Sequence, residues 1–198
     1  MKITLALAVA VPFVASLPAV FANNHTIECE KLVGPGKLLT QSAASTYALP
    51  RKYVHFTKEH TTGGHSLLAE APNNSTKQQF EFFKCNVSSS LFPTMHTPSG
   101  SYVQETGILK SVQHSDKCLT RVKSGDDEEN WTLQSCPSRQ FVPSELRKQW
   151  IQYNGGTLVY RGYQRDPEEQ FVAVGNDGVV SLMGGTDGKS LEELILTK

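Results

Sequence analysis

The sequence predicts an all-β domain, and three observations point to it. Helical periodicity is scarce beyond the first 22 residues. Short runs rich in Val, Leu, Phe, Tyr and Thr alternate with clusters of Gly, Pro, Asn and Ser, the pattern of strands divided by turns. The runs also recur in a fixed order, which is the mark of an internally repeated fold.

A glycine leading into an apolar run opens three blocks: Gly36-Lys37-Leu38-Leu39, Gly107-Ile108-Leu109-Lys110 and Gly156-Thr157-Leu158-Val159. The second runs are Tyr53 to Phe56, Cys118 to Val122 and Phe171 to Val174. Ser66 to Ala69, Trp131 to Gln134 and Val179 to Leu182 come third, and Phe80 to Phe83, Trp150 to Tyr153 and Leu194 to Leu196 fourth. From opening glycine to the anchor of the fourth run the separations are 44, 43 and 38 residues. Twelve strands in three four-stranded units describe a β-trefoil, a six-stranded barrel capped by three hairpins; closing the barrel removes exposed sheet edges. Phe80, Trp150 and Leu194 are expected to meet in the shared core near the threefold axis. A two-sheet sandwich is the alternative, and the tripled order of runs argues against it.

Residues 1–22 read as a secretion signal: Lys2, an apolar run from Ile3 to Val11, and small residues at Val20 and Ala22 before a cleavage point. The run is shorter than the ~20 residues of a membrane span, and Pro12 and Pro18 interrupt it. Residues 23–198 then form one domain. Lys plus Arg number 19 and Asp plus Glu number 19, so no long-range field draws the chain to nucleic acid or to an anionic membrane.

Cys29, Cys85, Cys118 and Cys136 are an even set in an exported chain, with three pairings possible on paper. No pair has zinc-finger spacing. In the repeat plan Cys118 begins the second strand of unit two and Cys136 follows its third, so a hairpin brings them together. Cys29 and Cys85 then pair by elimination, at opposite ends of unit one. Asn24, Asn73, Asn74 and Asn86 each open an N-x-[ST] triplet and are candidate glycan attachment points. Asn130 opens a fifth and is the poorest, because it enters a strand.

The stretch from Gly107 to Trp150 resembles the ricin B-type lectin domain, through Lys117-Cys118-Leu119, the second cysteine Cys136 after a short strand, and Gln149-Trp150 before the next glycine-led strand. Gln78-Gln79-Phe80 looks like a relaxed form of the same Gln-x-Trp signal. The organisation, a signal and a lone trefoil, looks like small secreted fungal proteins of this class. The resemblance implies a sugar site with a carboxylate after Cys-Leu, an aromatic on the next strand and an Asn near the Gln-x-Trp signal. The carboxylate and aromatic positions hold Thr120 and Gln134 here, and the Asn position and the Gln position beside it hold Arg147 and Lys148. The carboxylate position is His55 in unit one and Ala173 in unit three. The familiar galactose site is therefore expected to be absent from all three units.

Other motifs carry less. Asp126-Asp127-Glu128-Glu129 reads as a solvated loop tip without the spacing of a calcium loop. Met183 to Ser190 only superficially resembles a phosphate-binding loop, lacking its first glycine. His60 and His65 flank Gly63-Gly64 with no third metal ligand suggested. No Gly-x-Ser-x-Gly elbow occurs after the signal, and no carboxylate pair is nominated. The sequence thus nominates no catalytic residue, metal or cofactor. The expected activity is non-catalytic binding of a carbohydrate through a site that departs from the family pattern. The alternative is a protease inhibitor or protein ligand acting through the long loops Val87 to Ser101 and Pro137 to Arg147.

Overall fold

A computed structural model describes residues 25–42, 51–92, 97–99, 102–123, 129–162, 170–184 and 192–197. The expected signal, Asn24, Asp126 to Glu128 and Gly185 to Ser190 lie outside them. The described residues form an all-β protein of fourteen antiparallel strands with one short helix.

Six strand positions close on one another. Strand β1 (Ile27–Gly36) runs through Lys37 into β2 (Leu38–Ser42) and pairs with β5 (Phe80–Val87), placing Gly36 opposite Phe80. β5 pairs with β7 (Tyr102–Ser111), which pairs with β10 (Ile151–Asn154). β10 pairs with β11 (Thr157–Tyr160), β11 with β14 (Glu192–Leu196), and β14 returns to β2. Three hairpins stand on this ring: β3 (Lys52–Thr62) with β4 (His65–Glu70), β8 (Lys117–Lys123) with β9 (Glu129–Ser135), and β12 (Gln170–Val174) with β13 (Val180–Gly184). Each is tied to the ring by one strand, through the pairs β2–β3, β7–β8 and β12–β14. The hairpins also touch each other. Ser181 faces Asn130, Ala69 bridges Val179, and the Thr132 hydroxyl donates to the Ser66 carbonyl at 2.9 Å.

Each of the twelve expected runs overlaps a strand, with Lys37, Trp150, Gly156 and Val179 outside the strand bounds, and two further strands were not expected. One is β6 (Thr97–Ser99), a short partner of β7. The other is β1, whose middle residues are mostly exposed, so it lacks the polar/apolar alternation that marks a half-buried strand. Its pairing is supported by the Cys29–Cys85 disulfide and by a Lys31–Glu81 ion pair at 3.3 Å. A Lys84–Glu30 pair adds to it.

The ring encloses a core that repeats in register. Phe82 lies opposite Leu109, Tyr153 opposite Leu158 and Leu196 opposite Leu38, all buried. Two residues earlier on the fourth strands come Phe80, Ile151 and Leu194, at 1% exposure each. The expectation that Trp150 joins Phe80 and Leu194 is therefore corrected: Ile151 holds that place, and all three belong to the central cluster. Successive strand residues point to opposite faces, so an offset of one moves a side chain out of the core it was assigned to. Trp150 instead anchors a second cluster with Ile27, Phe92, Ile108 and Leu146, its ring 5.3 Å from that of Phe92.

The same register explains the opening glycines, each two residues before Leu38, Leu109 or Leu158. A Cβ on Gly36 would lie 1.8 Å from the Thr197 carbonyl oxygen, and one on Gly107 would lie 1.9 Å from that of Phe83. At these two positions the neighbouring backbone leaves no space for a side chain. Gly156 is required differently, by a φ of +127° in the two-residue turn between β10 and β11.

Candidate functional site

A cleft of about 750 Å³ lies between β9 and the segment 137–149. Two disulfides frame the region: Cys118–Cys136, with Cα atoms 4.9 Å apart, and Cys29–Cys85, at 4.1 Å. Pro143 starts the helix α1 (Pro143–Arg147), where its fixed φ suits the first helical position. Leu146 plugs α1 into the cluster around Trp150.

Thr120 sits on β8 at 1% exposure. Its hydroxyl donates to the Cys118 carbonyl at 2.8 Å and accepts from Gln149 Nε2 at 2.9 Å. It is a fastening inside the wall rather than a contact surface. Gln149 Nε2 also donates to the Ser135 carbonyl at 2.9 Å, while its buried Oε1 finds no hydrogen-bond partner among the described residues. Gln134, half-buried on β9, lines the cleft. Arg147 and Lys148 stand outside its walls. The Arg147 carbonyl accepts the Tyr160 hydroxyl at 3.0 Å, and the Lys148 amine pairs with Glu145 at 3.0 Å.

The cleft supplies a carboxylate and a ring from residues that the family pattern does not mark. Glu145 and Phe141 both line it. The Phe141 ring is held between those of His25 and Phe92, at centroid distances of 5.7 and 5.8 Å. Both residues lie in the loop Pro137 to Arg147, which stood out in the sequence by its length alone. One carboxylate, one half-buried ring and the Gln134 amide can together address hydroxyls and an apolar face.

The corresponding positions in the other units are separate. His55 is half-buried on β3, opposite Ala69. Ala173, 4% exposed, borders a cleft of about 560 Å³ that also takes in His60, Asn130 and Asp177. His65 belongs to the cleft beside β9, so the two turn histidines face different spaces. Among the described residues no group of three or more His, Cys, Asp or Glu is placed to hold a metal ion. Nor is any described helix long and apolar enough to cross a membrane.

Glu129 is not part of a solvated tip. It begins β9 and pairs with Arg121 at 2.8 Å, with side chains 14% and 12% exposed, and the guanidinium lies 4.4 Å from the Tyr160 ring centroid. Among the glycosylation triplets, Asn73 and Asn86 are exposed. Asn74 is exposed but engaged: its Oδ1 accepts from Tyr53 N at 2.7 Å and its Nδ2 donates to the Arg51 carbonyl at 3.1 Å. Asn130 is 3% exposed, inside the sheet.

Comparison with models of known protein families and with curated proteins yields no match.

Proposed function

We propose that this chain is a secreted, non-catalytic β-trefoil that binds a carbohydrate in the cleft beside β9. The trefoil reading is supported by the closed ring of pairings, the three mutually touching hairpins and a core repeated in register. Two disulfides indicate an oxidising setting, and the signal-like first 22 residues make secretion the route to it.

One observation carries the binding reading. Glu145, Phe141 and Gln134 converge on one cleft. Carboxylate and amide groups suit sugar hydroxyls, and a ring suits the apolar face of a pyranose. These groups restore the chemistry that Thr120 and its counterparts do not supply. A glycan array with the wild-type chain and the variants Phe141→Ala and Glu145→Gln tests it. The wild type is expected to retain a defined set of glycans and both variants to lose them; an array with no bound glycan removes the reading.

A second reading has its own support. The two long loops meet through the Phe92 and Phe141 rings, and next to each ring stands an exposed apolar residue: Leu91 at 46% and Val142 at 61%. Such a pair suits docking on another secreted protein, a protease among them. Retained protein binding in a Leu91→Ser/Val142→Ser double variant would count against it.

A further inference from the structure

The cleft beside β9 continues into a second one of about 460 Å³. Both take His65, Lys117 and Leu133 into their walls, so together they form one groove. The chemistry changes along it. The first part contains Glu145; the second is bordered by Lys58, His65, His114 and Lys117 and by no Asp or Glu.

The neutral polar groups of the second part are already spent on its walls. Gln78 exchanges hydrogen bonds with the Phe56 backbone at 2.8 and 3.0 Å. Gln113 accepts from Gln79 N and donates to the Lys77 carbonyl. The charged or chargeable groups are not spent in this way. The side chains of Lys58, His65 and His114 are exposed and have no hydrogen bond or ion pair among the described residues. Lys117 donates to Ser135 Oγ at 3.2 Å and lies 3.6 Å from the Asp116 carboxylate, which is itself 75% exposed. Lys58, His65 and His114 are thus uncompensated while Lys117 shares its charge with Asp116, and donors of one sign in a concave site favour an anion, because the low-dielectric walls concentrate their field.

We propose that the groove binds an acidic saccharide. Its sulfate ester or uronic carboxylate sits among Lys58, His114 and Lys117, and a neighbouring neutral sugar occupies the part beside Phe141. This rests on the carbohydrate reading and specifies its ligand class. Calorimetric titration tests it, with matched oligosaccharides in neutral, sulfated and uronic forms against the wild type and a Lys58→Ala/His114→Ala variant. The acidic form is expected to bind the wild type about tenfold tighter or more, with the gap narrowing as salt is raised. The gap should vanish in the variant while neutral affinity is unchanged, and the tighter of the two acidic forms identifies the anion. Equal affinity for neutral and acidic forms overturns this proposal and leaves carbohydrate binding standing. A gap that persists in the variant overturns the placement of the anion. No binding by any form overturns both readings.

Discussion

Ile151 and Trp150 are adjacent in the chain and sit in different cores. A large aromatic opening the fourth run drew the assignment to Trp150 because bulk is visible in a sequence and strand register is not. The glutamine signals contain the answer in part. Gln78 precedes Phe80 by two residues, and Gln149 stands in the same relation to Ile151, which shares the central cluster with Phe80. Ile151→Ala is accordingly expected to cost about 2–5 kcal/mol, the range for emptying a packed aliphatic site, with chemical denaturation as the measurement. Thr120 shows the converse limit. Its place after Cys-Leu was legible, but its hydrogen bond with Gln149 comes from a residue 29 positions later in the chain, past helix α1.

At the level of elements, the hairpins were legible and the outer supports were not. The turns are marked by glycine, and the strands between them alternate. β1 gave no such signal because its exposed side chains meet β5 mainly through charge pairs and a disulfide. In the chain-entropy model the two bridges, at sequence separations of 18 and 56, stabilise by about 3 and 4 kcal/mol. Replacing Cys29 and Cys85 together with Ala should thus lower stability more than replacing Cys118 and Cys136, as thermal unfolding of the two double variants would record. β14 offers a pH test. Burial chiefly, and then the Glu70 carboxylate, push the Glu192 carboxyl above its ordinary value, against the pull of Lys52. A raised folded value means that the folded protein holds this proton more tightly than the unfolded chain does. The associated stability is present below the ordinary carboxylate range and is lost as pH rises through the folded value. Glu192→Gln should therefore raise the unfolding midpoint at neutral pH and leave it little changed near pH 3, a difference that paired melts at the two pH values would detect.

For the molecule as a whole, the order of strands was legible in part because Gly36, Gly107 and Gly156 each stand two residues before a leucine of the central cluster, Leu38, Leu109 and Leu158. The groove beside β9 was not, since its walls come from β4, β9 and the segment around α1, which no local pattern links. The closure of the ring has a kinetic consequence. β14 lies between β11 and β2, with Thr197 exchanging hydrogen bonds with Lys37 at a separation of 160 residues. Until β14 docks, one side of β2 presents unpaired amides and carbonyls, a template for a strand from any chain nearby. Folding should therefore be slow for a protein of this size, as expected where distant segments must meet before the structure is rewarded. Weakening the last strand with Leu194→Ser/Leu196→Ser should divert refolding toward oligomers whose share rises with protein concentration, as light scattering during dilution from denaturant would show. The final strand would then act as a lock against self-association, engaged only when everything before it has been made.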